Sequence, residues 1–239
     1  MAIFSYIIIG IAIALGFFVQ TIVGFAAVLV ALPILLLVMD LQSAIVLLSL
    51  LLALFSIILI IQNHGKMEKR IIFELAVSGF VGMMLGIYTL KFGNPEILKQ
   101  VLGGFIIVYA LHAIVRDKKI VEFQRMGWFF GLIGGYFSGL FNTGGPLYVT
   151  YINNKLHDTH IIRATILGVL GFINISRLPL LVFNEMIDKS ILSLSAIMIP
   201  IMLLSIYIGN IVYTKINQFI FKKILFLLLL VVGLTMLWK

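Results

Sequence analysis

The sequence predicts an all-α polytopic membrane protein built as two four-segment repeats of inverted orientation. Three observations lead there. Of 239 residues, 62% are hydrophobic and only 11% charged, against roughly 45–50% and about 25% in soluble chains. A buried core cannot absorb that excess, so the solvent is lipid. The apolar residues also fall in long runs without period-two alternation, which excludes a β-barrel. Finally, segment lengths and loop charges recur at an offset of about 120 residues, a symmetry common among transporters. A cytosolic enzyme and a nucleic-acid binder are excluded, and the absence of cysteine excludes a disulfide scaffold. The net charge of +8 therefore reports basic residues gathered on the cytoplasmic side.

A crossing needs about 20 mostly apolar residues. Eight segments qualify or come close: 3–39, 41–61, 71–90, 100–115, 127–153, 164–183, 190–214 and 219–238. They are apolar all round, as spans are and surface amphipathic helices are not. The first opens at Met1-Ala2-Ile3-Phe4 with neither a basic region nor a small-residue cleavage site, and is read as a retained segment. Residues 1–116 form the first repeat, 117–126 a cytoplasmic linker and 127–239 the second repeat. Each half has one long glycine-containing stretch, two ordinary spans and a short last span. The loops before the short spans, 91–99 and 215–222, share a pattern.

Topology follows from the long segments. If all eight crossed once, the connecting loops would carry nine and seven basic residues on the two sides, which decides nothing. The first segment runs 37 residues without a charge, too long for one crossing. With segments 1 and 5 as broken or re-entrant helical hairpins, the loops at 66–70, 116–125, 155–163 and 215–223 share one face. That face holds twelve Lys and Arg, and the other keeps Lys91, Lys99, Lys189 and Lys239. This is a clear positive-inside bias. It inverts the halves and puts both termini outside.

Segment 5 is interrupted by Asn142-Thr143-Gly144-Gly145-Pro146. Glycines and proline break a helix, and proline suits the first turn of the next. A break at membrane depth leaves amides unpaired unless protein or a hydrated cavity faces them. A new helix N-terminus there favours an anion. In segment 1 the counterpart is Gln20-Thr21-Ile22-Val23-Gly24-Phe25, with Pro33 further on. Gly131, Gly135 and Gly139 form one small-residue seam and Gly82 and Gly86 another, both read as helix packing. Arg177 is the strong charge well inside a span, with Asn174 one turn before it. It either faces an anionic substrate, snorkels outward, or pairs with a carboxylate such as Glu185. Arg163 reads as a topology marker. Glu74 and His112 lie near span ends and read as solvated, although Glu74 could carry a coupling proton. His157, Asp158 and His160 share a loop, but no embedded cluster has metal spacing. Tyr6, Trp128 and Trp238 read as interfacial anchors.

The motifs Gly24-Phe25 followed by Pro33, Gly139-x-x-Asn142-Thr143-Gly144-Gly145-Pro146 followed by Tyr151, and Arg163-Ala164-Thr165 resemble the sulfite exporter TauE/SafE family over essentially the whole chain. Two positions depart from many members. Gly24-Phe25-Ala26-Ala27 stands where a denser glycine cluster is common, and Leu147 where a second proline follows Pro146. The resemblance implies a membrane permease for sulfite, sulfonates or related sulfur-containing anions.

The expected function is thus a secondary transporter that moves a small anion by alternating access between the repeats. The expected substrate-binding residues are Gln20, Thr21, Gly24, Phe25, Asn142, Thr143, Gly144, Gly145, Pro146, Asn174 and Arg177. No cofactor or metal is expected, and the chain has no nucleotide-binding P-loop. A proton or sodium ion is the candidate coupling ion and a second copy of the chain a candidate partner. The expected location is a prokaryotic cytoplasmic (inner) membrane. A passive channel is the alternative. An intramembrane enzyme ranks below it, because Gly135-Tyr136-Phe137-Ser138-Gly139 lacks G-x-S-x-G spacing and has no histidine at its depth.

Overall fold

The computed structural model describes residues 3–62, 67–115, 126–213 and 215–238. Lys66, the basic loop at 116–125 and Lys239 lie outside the described residues, as does the expected linker apart from Met126. Among the described residues the chain is helical, without strands: α1 (Ile3–Val23), α2 (Ala27–Leu35), α3 (Leu41–Gln62), α4 (Lys69–Phe92), α5 (Pro95–Val115), α6 (Gly127–Phe141), α7 (Gly145–Lys155), α8 (Thr159–Phe183), α9 (Lys189–Tyr213) and α10 (Gln218–Trp238). Each of the two long apolar segments is a broken helix, α1–α2 and α6–α7. Among the described residues five helices, α1, α3, α4, α8 and α9, are long and apolar enough to cross a bilayer. Large apolar side chains such as Leu85, Val108, Leu204 and Leu228 stay exposed, as expected where lipid is the solvent.

Local chemistry sets where helices begin. The first amides of a helix lack intrahelical acceptors, so a preceding Asp or Asn supplies one. Asp40 Oδ1 accepts from the Ser43 amide at 2.9 Å before α3. Asn94 Oδ1 accepts from the Glu96 amide at 2.8 Å, with Pro95 opening α5. Asp158 Oδ1 accepts from the His160 and Ile161 amides at 2.8 and 3.1 Å before α8. These bonds hold the Asp158 carboxyl below its usual pKa.

The described residues cluster as two compact units. One comprises Met1–Leu48, Gly93–Arg116 and Lys189–Lys239; the other comprises Ser49–Phe92 and Asp117–Asp188. In the first, α1 packs on α2 and α9, and α5 packs on α10. Gly16 of α1 sits against Ala27 and Ala31 of α2, and Gly209 of α9 receives Thr21 of α1. In the second, α4 packs on α6 and α8, and α6 on α7. The α4–α6 seam is built of glycine: Gly82 faces the Leu132 carbonyl, Gly86 the Tyr136 carbonyl, Gly135 the Gly79 backbone and Gly139 the Met83 carbonyl. A Cβ at any of them would overlap main chain, which cannot rotate away. Both glycine series therefore serve close helix approach, as read from their spacing.

Two expectations follow. Gly135→Val or Gly139→Val should destabilise the protein by at least about 1–3 kcal/mol, the usual cost of overpacking, whereas Gly104→Ala, with open space around its Cβ position, should be neutral or stabilising. Thermal unfolding in detergent checks the contrast. The lowered Asp158 pKa stabilises the fold above the ordinary carboxylate range, and that contribution is lost as pH falls through the folded value. Asp158→Asn keeps a capping oxygen without a titrating group, so its unfolding temperature should fall less than wild type between pH 5 and pH 3, about the range where carboxylates titrate.

Candidate functional site

The break between α6 and α7 is made by Asn142, which adopts a left-handed conformation at φ 61°. That conformation closes the helix: the Asn142 amide donates to the Ser138 carbonyl at 2.9 Å and the Thr143 amide to the Phe137 carbonyl at 3.3 Å. This is a common way to satisfy the last carbonyls of a helix. Gly144 follows because a Cβ there would meet the Gly134 carbonyl and Ser138 Oγ. Pro146 then stands in the first turn of α7. Among the described residues the Gly144 and Gly145 amides have no acceptor.

Arg177 of α8 reaches this break and is 0% exposed, so it does not snorkel. Its Nε donates to Ser49 Oγ of α3 at 2.9 Å, and its NH1 to the Ser138 carbonyl, which the Asn142 amide also uses. Asn142 Nδ2 donates to the same Ser49 oxygen at 3.4 Å. One turn earlier on α8, Asn174 Nδ2 donates to Ser56 Oγ at 2.8 Å. Among the described residues no carboxylate pairs with Arg177, Glu185 included. Its NH2 and the Thr143 hydroxyl are both buried without a hydrogen-bond partner. A positive charge and neutral donors thus meet at one helix break, and among the described residues no carboxylate balances them. Such a site can hold an oxyanion through charge-assisted and neutral hydrogen bonds.

Asn142, Thr143, Gly144, Gly145, Pro146, Asn174 and Arg177 therefore belong to one constellation. Ser49, Ser56 and Ser138 complete it and were missed in the sequence. The available signal was two serines seven residues apart in the greasy α3, matching Asn174 and Arg177 on α8.

Gln20, Thr21, Gly24 and Phe25 form a separate set in the other unit, and their groups are internally engaged. Gln20 Nε2 donates to the Gly24 carbonyl at 3.1 Å, while its Oε1 accepts from the Ala27 amide at 2.8 Å. One side chain thereby spans the α1–α2 break. Gly24 has φ 99° with open space around it, so it is required for conformation, not for room. Thr21 donates to the Phe17 carbonyl at 2.8 Å, and Phe25 packs edge-on against Tyr109. Thr165 has a structural task too: its hydroxyl accepts from the Glu68 amide at 3.0 Å.

Comparison with known families matches residues 8–236 to the family described as Sulfite exporter TauE/SafE. The chain belongs to the sulfite exporter TauE/SafE family. Membership implies an integral membrane transporter of sulfur-containing anions, not an enzyme. No curated protein and no solved structure matches the chain. In this member of the TauE/SafE family, the motif glycines and Asn142 shape the break that Arg177 approaches.

Ser49 holds both Arg177 and Asn142, so Ser49→Ala should leave a buried guanidinium nitrogen unsatisfied. The expected cost is about 1–3 kcal/mol, read as a lower unfolding temperature, with Ser49→Thr recovering most of it.

Proposed function

We propose that this chain is a secondary transporter for a small sulfur-containing oxyanion, sulfite or a sulfonate, which binds at the α6–α7 break. The observation that carries this reading is the fully buried Arg177, whose NH2 has no partner and whose charge has no carboxylate among the described residues. A buried arginine without a paired anion is costly in a membrane helix. A bound anion would balance it. The Thr143 hydroxyl and the Gly144 and Gly145 amides would supply further donors to its oxygens, and Asn142 and Asn174 would keep the surrounding polar groups in place.

Alternating access between two inverted repeats is part of the proposal. It is supported by packing inside each unit: the third span of the first half, α4, lies on the first segment of the second half, and α9 lies on α1. The same exchange in both directions is what a repeated, reversed architecture produces. The two broken helices would be re-entrant hairpins, the membrane a prokaryotic inner membrane, and a proton or sodium ion the coupling partner. No cofactor is required by this chemistry.

Flux of sulfite and of a small sulfonate into proteoliposomes tests the site. Arg177→Met should abolish saturable uptake while leaving stability unchanged or raised, because an unbalanced buried charge is removed. Asn142→Leu should reduce uptake at least about tenfold, the weight of one charge-assisted or well-placed hydrogen bond. Undiminished flux in both variants would overturn the site. Linear, non-saturating conductance would replace the carrier with a channel.

A further inference from the structure

The unit containing α2, α5 and α10 carries an open cavity of about 310 Å³. It lies where the C-terminal ends of α2 and α10 meet the first turns of α5. Its walls are of two kinds. Pro33, Leu37 and Met236 are apolar, whereas Glu96, Lys99 and Thr235 are polar. Glu96 and Lys99 are three residues apart on one helix, a spacing at which opposite charges ordinarily pair with each other. Here they do not: neither side chain has a hydrogen bond or ion pair among the described residues. The cavity thus presents a separated carboxylate and ammonium, both uncommitted, beside an apolar wall. The neighbouring apolar side chains Ile97, Val101 and Leu234 are exposed.

We infer that this cavity binds a phospholipid whose headgroup is an aminoethyl phosphate. The phosphate binds Lys99 and the primary ammonium binds Glu96. The acyl chains lie along Ile97, Val101 and Leu234. Two features select this ligand class. A net-neutral zwitterion balances both charges at once, which a simple anion or cation does not. The polar wall lies at the ends of three apolar helices, where a lipid headgroup meets a spanning protein, and exposed apolar side chains adjoin it for the acyl chains. A primary ammonium can donate hydrogen bonds to Glu96, whereas a quaternary ammonium of the same charge cannot. This inference stands independently of the anion site.

Native mass spectrometry of the full chain, equilibrated with equimolar phosphatidylethanolamine and phosphatidylcholine, tests it. Wild type should retain the ethanolamine lipid about tenfold over the choline lipid, the weight of one charge-assisted hydrogen bond. Glu96→Gln should abolish that preference, and Lys99→Gln should lower retention of both lipids. Equal retention of the two lipids by wild type would overturn the proposal, and needs no variant. So would an unchanged preference in folded Glu96→Gln, with folding checked by thermal unfolding. Soluble O-phosphoethanolamine separates the two sources of this headgroup. Failure to displace the lipid at millimolar concentration supports a lipid site. Full displacement overturns it in favour of a free zwitterion.

Discussion

A guanidinium removed from solvent must be held by acceptors, and the contacts that hold Arg177 link α8 to α3 and to the last turn of α6. Its Nε uses a hydroxyl from α3 and its NH1 the carbonyl of Ser138 in the last turn of α6. The same carbonyl receives the Asn142 amide, and the same hydroxyl the Asn142 side chain. One cation therefore joins α8, α3 and the end of α6 through only two oxygen atoms. Neither oxygen is a carboxylate. Neutral acceptors position the charge without cancelling it, and a buried charge left in that state retains a strong demand for an anion.

The two broken helices resolve the same backbone problem by different means. In α1–α2 a single glutamine bridges the gap from both ends of its amide, and an open glycine takes the unusual backbone angle. In α6–α7 an asparagine takes that angle, its side chain turns to a neighbouring helix, and buried donors are left over. A break that satisfies itself is a structural joint. A break with surplus donors is suited to a ligand, which is why the proposed site rests on the second and on Arg177.

Much of this was legible in the sequence. Glycines and prolines are carried inside α2, α4, α6, α8 and α9, so it was the pairing of glycine with polar side chains, at Gln20 to Gly24 and Asn142 to Pro146, that marked the two interruptions. The apolar runs match the helices to within a few residues, since charge and capping side chains mark the ends. The glycine seams were legible because only close approach rewards repeated loss of a side chain. Ser49 and Ser56 were not, because a lone serine in a membrane helix commonly bonds its own backbone. Only the three-dimensional pairing of α3 with α8 shows their acceptor role. Gln20 looked like a ligand because it is polar in a greasy run, whereas its amide is engaged by its own turn. Glu96 and Lys99 carried no signal, since sequence spacing does not reveal that two neighbours decline to pair.

The glycine seam between α4 and α6 also limits how the α6–α7 break can move. Helices whose main chains lie in direct contact at Gly82, Gly86, Gly135 and Gly139 cannot slide past one another, because each glycine sits in a notch formed by the opposite backbone. Shear along that interface would drive carbonyls into Cα atoms within a fraction of a turn. α4 and α6 must then travel as one stiff body, and compliance has to come from a hinge at the helix ends. The residues that form such an end begin at Asn142, which shares both acceptors of Arg177.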